Sequence, residues 1–348
     1  MKFLAVAVAT LLVASAYGQT DQKRLVGSFD VDAKTTAPLQ LVAQVRLLAE
    51  PGKVFKLLER YEAMPKWMPV LQEVNVDRSG SNGSSGVGCN RSCKLKNGMT
   101  VTESIVGFEP NNFIAYSLTR DNPMGLKGHL ALATVEPHPE GGTLLTWRQY
   151  FDHPDSAQMN QMMSDMLLTG YDALLKGFGG EHVSTASGLQ AARITQRIPI
   201  SATPERVWSI LGRDFGGLEK WASAIQTAEL TKLANGGTQR HCQTSMGVVK
   251  ESVTIYDEAA KELAYQVIDG LPSVVSTATN HWDVVSSGEG GSIVTMQLHL
   301  EMHPNTPASV AASVRDGLLG MTRGIGEELA YFANHGQPHP RKLASVSQ

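Results

Sequence analysis

The chain has 348 residues, enough for about two domains at roughly 100–200 residues each. Hydrophobic residues make up 42% and charged residues 18%, so each domain can bury a core, and wholesale disorder is excluded. The net charge of −3 lacks the basic excess typical of nucleic-acid-binding proteins, and three cysteines are too few for a disulfide framework.

Residues 1–18 are typical of a secretory signal peptide. Lys2 precedes the apolar run Leu4–Val13, and Ala14–Ala16 supplies small residues for cleavage. The alternative is a buried N-terminal helix. No other run reaches the roughly 18 apolar residues that a transmembrane helix needs. We therefore expect a secreted or otherwise extracytoplasmic protein without a stable membrane span, or a plastid protein if the host is an alga.

Two parts of the chain repeat one pattern in the same order, offset by about 150 residues. The matching segments are Pro51–Leu58 with Pro204–Leu211, Lys66–Trp67 with Lys220–Trp221, Gly88–Cys93 with Gly237–Cys242, Glu103–Ile105 with Glu251–Val253, and His153–Pro154 with His303–Pro304. The repeat predicts two copies of one domain, residues 37–178 and 192–336. Between them, the Gly-, Ser- and Ala-rich residues 179–191 are predicted to be a linker, and residues 337–348 a flexible tail.

Each copy is predicted to begin with a strand and a short helix. Residues 39–47 alternate apolar positions as a strand does, and Pro51 or Pro204 then stands where a helix tolerates proline best, at its first position. About six antiparallel strands separated by glycine turns follow. The last strand of the second copy alternates cleanly over residues 294–301. These elements predict the α+β class.

A long amphipathic helix closes each copy, because apolar residues recur every three or four positions. In the second copy they are Val310, Val314, Leu318, Met321, Ile325, Leu329 and Phe332; in the first they are Met159, Met163, Met166, Leu174 and Phe178. A curved antiparallel sheet with one apolar face needs a cover, and this helix can supply it.

Alternation places an arginine and a glutamate on the inner face of the sheet in each copy. In the second copy, a two-residue turn at Met246–Gly247 would put Cys242 opposite Glu251 and Arg240 opposite Val253. Arg240 and Glu251 would then be diagonal neighbours within side-chain reach.

In the first copy, a three-residue turn over Asn97–Met99 with Gly98 left-handed would put Glu103 opposite Cys93 and Arg91 opposite Ile105. Two interpretations stay open in both copies. The two charges form a self-satisfied pair that helps to fix the sheet, or one of them anchors the polar end of an apolar ligand.

The order of these motifs resembles one known family. The strand, the Pro204–Trp208 helix, Trp221, the glycine turn before Arg240 and the closing helix are similar to the polyketide cyclase/dehydrase branch of the START-like, helix-grip superfamily (SRPBCC). The resemblance covers nearly all of the mature chain, as a tandem repeat, and is clearer in the second copy. It implies two helix-grip domains, each a curved antiparallel β-sheet wrapped around a long C-terminal helix, with a cavity for a hydrophobic small molecule.

From this resemblance and the signal-peptide pattern together, we expect a secreted binding or carrier protein for a hydrophobic small molecule or lipid, with one cavity per domain. One alternative is a cyclase/dehydratase-like lyase or isomerase, and another is a protein-interaction or regulatory module. The candidate cavity residues are Arg91, Glu103, Trp67, Trp147, Met163, Arg240, Glu251, Trp221, Met296 and Met321. For Trp67 and Trp221, both core packing and contact with the cavity mouth are open.

The sequence carries no recognised catalytic or metal-binding motif. The ten histidines show no metal-ligand spacing on a shared helix, and neither a nucleophile elbow nor a phosphate-binding loop is present. The three cysteines are expected to be small buried hydrophobic residues. We therefore predict no metal, no cofactor and no nucleic-acid partner, and assign no catalytic residue.

Overall fold

The computed structural model describes residues 24–119, 122–234, 236–244, 247–288, 290–303 and 306–346. The predicted signal peptide, residues 1–18, lies outside these ranges, and so does Met246 of a predicted turn. The chain divides between Gly188 and Leu189 into two compact units, called here the first and the second domain.

The first domain contains a curved antiparallel sheet and a long helix. Its strands are β1 (Leu25–Val26), β2 (Phe29–Asp30), β3 (Leu39–Leu47), β4 (Leu71–Asp77), β5 (Asn90–Leu95), β6 (Thr100–Glu109), β7 (Phe113–Leu118), β8 (Lys127–Pro137), β9 (Thr143–Asp152) and β10 (Gly180–Ser187). Its helices are α1 (Pro51–Leu58) and α2 (Ser156–Phe178), with a 3₁₀ turn at Tyr61–Lys66. The sheet order is β10-β3-β9-β8-β7-β6-β5-β4, and β1 pairs with β2.

The second domain repeats this plan. Its strands are β11 (Ala191–Ile200), β12 (Ile225–Lys232), β13 (Thr238–Thr244), β14 (Gly247–Asp257), β15 (Glu262–Asp269), β16 (Val275–Ser286) and β17 (Ser292–Met302), in the sheet order β12-β13-β14-β15-β16-β17-β11. Its helices are α3 (Pro204–Trp208), which continues into a π turn at Ser209–Arg213, α4 (Ala308–His335) and α5 (Pro340–Val346). The predicted α+β class with two tandem helix-grip domains is therefore what the chain adopts.

In each domain the long helix packs against the inner face of the sheet. Met159, Met163, Leu167 and Leu174 of α2 belong to the first core. The Tyr171 hydroxyl also donates to the Ala43 carbonyl on β3 at 3.0 Å. In the second domain, the Gln196 amide on β11 donates to the Leu319 carbonyl at 3.0 Å and to the Thr322 hydroxyl at 2.9 Å.

The inner face of α4 differs from the predicted apolar stripe. The residues it buries are Ala311, Arg315, Thr322, Gly326, Glu328, Leu329 and Ala333. Most of the larger residues of the predicted stripe are only partly buried. Met321, predicted to line a cavity, is 37% exposed. Small residues let a helix approach the sheet closely: a Cβ on Gly326 would lie 2.8 Å from Ile198. A count of large apolar residues alone therefore placed the face one position too early.

The predicted linker and tail are both partly ordered into secondary structure. Residues 180–187 form β10, which pairs with β3 at the edge of the first sheet. A Cβ on Gly180 would lie 2.0 Å from the Arg46 carbonyl oxygen, so glycine is needed here for close pairing rather than for looseness. In the tail, α5 buries Lys342, whose ammonium donates to the Ile225 carbonyl at 2.6 Å.

An N-terminal segment that the predicted domain boundary excludes belongs to the first fold. Within residues 24–37, Phe29 and Val31 pack on the outer face of the sheet. Their partners there are Phe113, Ala115, Leu130, Leu132 and Tyr150. Both faces of the first sheet are thus covered by apolar contacts.

Both predicted hairpin registers are wrong by two residues, that is, by one position along the same face of the sheet. Arg91 lies directly opposite Glu103, and Arg240 directly opposite Glu251. In the first domain the loop occupies residues 96–98, because the Leu95 amide bonds the Met99 carbonyl at 2.8 Å, with Gly98 at φ +88°. In the second domain Gly247 is already in the strand, opposite Thr244. A shift of two residues keeps every side chain on its face, so the inward assignments are unaffected.

Candidate functional site

The two domains place the same buried arginine–glutamate pair on the inner face of the sheet. Arg91 on β5 donates from Nε to Oε2 of Glu103 on β6. Arg240 on β13 donates to Oε2 of Glu251 on β14 from Nε at 2.7 Å and from Nη2 at 2.6 Å. All four side chains are buried. The predicted inward charges therefore form an ion pair in each domain.

The second-domain pair is closed on itself. Beyond its bonds to Glu251, Arg240 donates from Nη1 to the Phe215 carbonyl at 2.8 Å. Its guanidinium also stacks 3.7 Å above the Phe215 ring and 5.1 Å from that of Tyr265. All three guanidinium nitrogens are engaged by the protein, as a structural pair requires.

The first-domain pair keeps hydrogen-bonding capacity in reserve. Arg91 lies between the Tyr61 and Tyr116 rings, at 4.8 and 4.2 Å. Its Nη2 is buried, yet no described residue accepts from it. Glu103 Oε2 receives Arg91 and, at 3.5 Å, the Cys93 thiol. The domain that uses the pair less fully also contains a cavity.

A cavity of about 80 Å³ lies between the sheet, the 3₁₀ turn and α2 of the first domain. One water molecule needs about 10–15 Å³ by the same measure, so the cavity is larger than the space that a single bridging water occupies. Its apolar wall consists of Met64, Met68, Leu71, Leu95, Val101, Leu118, Met124, Met163, Met166 and Leu167. Its polar or polar-tipped members are Cys93, Glu103, Tyr116, His129, Trp147 and Gln149.

A relay of two hydrogen bonds, from the Leu118 amide through His129 to Gln149, fixes the polar end of this cavity. The Leu118 amide donates to His129 Nδ1 at 3.1 Å. The ring proton must therefore sit on Nε2, which donates to Gln149 Oε1 at 3.0 Å. With its oxygen occupied, the Gln149 amide leaves two N–H donors for which the described residues offer no acceptor. The relay thus determines the orientation of an amide group that lines the cavity.

Burial keeps the other titratable groups of the cavity neutral. Desolvation lowers the pKa of His129 to about 4, although the Glu103 carboxylate and the Gln149 bond oppose this shift. Burial raises the pKa of Tyr116 and the pKa of Cys93 well above their usual values. Arg91 and Glu103 form the ion pair at this end of the cavity, so the two charges offset each other.

The second domain carries apolar residues where the relay stands in the first. Alanine and leucine, Ala278 and Leu298, occupy the positions of His129 and Gln149. The inward tryptophan also stands on a different strand of the pair in the two domains. Ala133 faces Trp147 across β8 and β9, whereas Trp282 faces Met296 across β16 and β17. The two interiors therefore share a backbone plan but not a lining.

The predicted site residues fall into three groups. Glu103, Trp147 and Met163 line the cavity. Arg91, Trp67, Arg240, Glu251, Trp221 and Met296 are buried without lining it, and Met321 is exposed. Trp67 packs in the core, its ring 6.3 Å from that of Trp147. The three cysteines are buried and free, as predicted.

Sequence reasoning missed Tyr116, His129 and Gln149. For Gln149 a signal existed, because it shares the apolar alternation of Leu145, Trp147 and Phe151. An amide on such a face points to a polar group inside the fold.

The family model described as polyketide cyclase / dehydrase and lipid transport matches residues 38–179 and again residues 191–332. Among solved structures, the di-domain ARO/CYC protein BexL of the BE-7585A biosynthetic pathway is 13% identical, covers 85% of this chain and 99% of its own, and has a TM-score of 0.36. The di-domain ARO/CYC protein StfQ of the steffimycin biosynthetic pathway is 12% identical, with 84% and 97% covered and a TM-score of 0.36. Zhui aromatase/cyclase from Streptomyces sp. R1128 is 12% identical, with 43% and 99% covered and a TM-score of 0.35.

A search of curated proteins finds no match to the chain. In the described ranges, no helix is long and apolar enough to cross a membrane. The helix-grip fold implies a pocket for a hydrophobic ligand, and the family model covers most of the sequence in two successive copies. The chain belongs to the polyketide cyclase / dehydrase and lipid transport family and carries its domain twice.

Proposed function

We propose that the protein binds or carries a hydrophobic small molecule or lipid, and that the first domain holds it. The observation that carries this proposal is the cavity of the first domain, whose wall is mostly apolar and whose polar members include the Gln149 amide and the Trp147 indole N–H, the latter buried without an acceptor among the described residues. Small-molecule sites have this layout: an apolar body with a few oriented polar groups. Methionines at positions 64, 68, 124, 163 and 166 suit an adaptable wall.

Carriage fits the chemistry of the cavity better than catalysis. The His129 imidazole has both nitrogens engaged, and its low pKa removes it as a base poised near neutral pH. Glu103 Oε2 is already engaged by Arg91 and by the Cys93 thiol. The second candidate is a cyclase- or dehydratase-like enzyme, which the gathering of Glu103, Tyr116 and His129 around one cavity favours.

A cavity-filling variant tests the proposal. Met166→Trp places a larger side chain at the cavity wall, whereas Met162→Trp changes a 37% exposed residue four positions earlier on the same helix. We expect saturable binding of the two-ring compound 2-naphthol to the full chain, at least tenfold weaker in Met166→Trp and unchanged in Met162→Trp. Native mass spectrometry should also find a copurified apolar compound. Absence of any binding, or equal binding by both variants, would refute the proposal.

Catalysis is tested separately. Polyketone substrates incubated with the full chain should return unchanged if the protein is a carrier. Turnover that Glu103→Gln abolishes would favour the enzyme instead.

The signal-peptide pattern of residues 1–18 supports a further proposal, that the protein acts outside the cytosol. Recovery of the chain from its host, cleaved near residue 16 or 18, is the expected result. An intact N-terminus in a cytosolic fraction would contradict it.

A further inference from the structure

The polar end of the first-domain cavity has its own selectivity. We infer that the Gln149 amide, positioned by His129, recognises an uncharged oxygen on the ligand, so that the ligand is an apolar molecule with a hydroxyl or carbonyl group rather than a carboxylate. This inference rests on the proposed function and narrows its ligand class. It depends on the orientation of one amide and on the charges around it.

The orientation follows from a backbone group. The Leu118 N–H occupies His129 Nδ1 at 3.1 Å, and His129 Nε2–H occupies Gln149 Oε1 at 3.0 Å. A flipped amide would set its own N–H groups against the ring N–H, which is unfavourable in a buried site. Gln149 is 5% exposed, and its nitrogen meets no acceptor among the described residues. Gln149 therefore offers donors to the cavity and receives its fixed orientation from His129, a positioning residue.

The electrostatics disfavour an anion. Among the described residues that line the cavity, Glu103 is a carboxylate, and its negative charge is balanced by the single guanidinium of Arg91 behind it. A ligand carboxylate would add a second negative charge beside Glu103 without a cation of its own. In a site with a low dielectric constant this repulsion costs far more than in water. A neutral oxygen accepts from Gln149 without that cost.

The second domain shows which substitutions the fold tolerates. Its Ala278 and Leu298 stand where the first domain has His129 and Gln149, and both are buried in the same sheet position. Gln149→Leu therefore introduces a side chain that the duplicated fold already accommodates. Gln149→Met is a second variant that keeps a similar length and volume and removes the donors.

The experiment uses three probes of one shape: 2-naphthol, naphthalene and 2-naphthoate, titrated calorimetrically at pH 7 into the ligand-free full chain. We expect 2-naphthol to bind roughly tenfold more tightly than naphthalene, as one buried hydrogen bond supplies. It should also bind at least tenfold more tightly than 2-naphthoate. In Gln149→Leu the preference for 2-naphthol over naphthalene should fall to about onefold, with naphthalene binding retained. Gln149→Met should lose the preference too.

Asn280→Leu is the matched control, since Asn280 carries a buried amide oxygen in the second domain. It should keep the wild-type preference. Tighter binding of 2-naphthoate, or a preference that survives both Gln149 variants, would overturn the inference while leaving the proposed function intact. If none of the three probes binds the wild-type chain, the proposed function fails and the inference fails with it.

Discussion

Whether a buried arginine–glutamate pair holds a sheet together or serves a ligand depends on how many of its donors the protein itself engages. Arg240 uses all three of its nitrogens on Glu251 and the Phe215 carbonyl. Arg91 leaves Nη2 without an acceptor in the described ranges. The same two residue types therefore have different surroundings in the two copies: the pair is closed on the protein itself in the second domain and adjacent to the cavity in the first.

Glu251→Gln should lower the free energy of unfolding of the second domain by about 3–5 kcal/mol, because it leaves the Arg240 charge buried without a counter-charge. Urea unfolding of the full chain measures this loss. The double variant Arg240→Met/Glu251→Leu should recover most of it, since both charges are then gone. A double variant as unstable as the single one would show that the ion pair itself contributes the stability. Ligand binding by the first domain should be unaffected in either case.

His129 should make the stability of the first domain fall in mild acid. Its pKa is lowered by burial from 6.5 to about 4 in the folded chain, so between these values the unfolded chain binds the proton and the folded chain does not. Its contribution is thus complete above about pH 6.5 and is lost as the pH falls towards 4. Between pH 7.5 and 5, wild type should lose about 2 kcal/mol more than His129→Ala in urea unfolding. Equal losses would contradict this assignment.

At the scale of elements, the N-terminal hairpin formed by β1 and β2 within residues 24–37 explains why part of the site could not be found from the sequence. It covers an outer face that carries Leu130, Leu132 and Tyr150. Strand β8 is therefore buried on both faces and reads His-Leu-Ala-Leu-Ala without alternation, which gives no means of assigning His129 to a face. In the second domain the outer positions equivalent to those three residues are Thr279, His281 and His299, and the face needs no cover.

The sequence predicts a side chain's face best where inward and outward residues alternate without ambiguity. Alternation correctly placed Arg91, Glu103, Arg240 and Glu251 inside the sheet, because a face depends only on odd or even position. Register was missed by one pair, since it depends on which residues form each hairpin loop. The phase of α4 was missed because small residues, which the pattern does not count as core, make its contacts with the sheet.

Gly107 should be intolerant of any side chain because the hairpin packs directly upon it. A Cβ at Gly107 would lie 2.3 Å from Cε2 of Phe29. Gly107→Ala should displace the ring, destabilise the first domain by about 1–3 kcal/mol and increase proteolysis within residues 24–37. Gly177→Ala is the control, because nothing lies within 4 Å of a Cβ on that glycine of α2. The control should gain about 0.4–1 kcal/mol. Equal stability of both variants would mean that Phe29 does not pack there.

At the scale of the whole molecule, the duplication has kept the fold and diverged in the interior. Both copies match the family model, and the cavity lined by Glu103 and Gln149 belongs to the first. Sequence motifs report strands, turns and the closing helix, whereas a cavity is the space that remains after side chains from many elements are placed. In the first domain Ala133 faces Trp147, whereas in the second Trp282 faces Met296. The tryptophan thus stands on the other strand of the pair, which redistributes the interior space and leaves the sequence motifs unchanged.

This divergence predicts one ligand per chain rather than the two expected from the repeat. Trp282, Arg240 and Glu251 are buried in the interior of the second domain, which also buries Arg315, bonded to Asp316 at 2.8 Å. Calorimetric titration of the full chain with 2-naphthol should therefore give a stoichiometry near one. Met166→Trp should reduce it towards zero, and Glu251→Gln should leave it near one in conditions where that variant stays folded. A stoichiometry of two, or a site that persists in Met166→Trp, would place a functional cavity in the second domain as well, because only the first-domain site is blocked by that tryptophan.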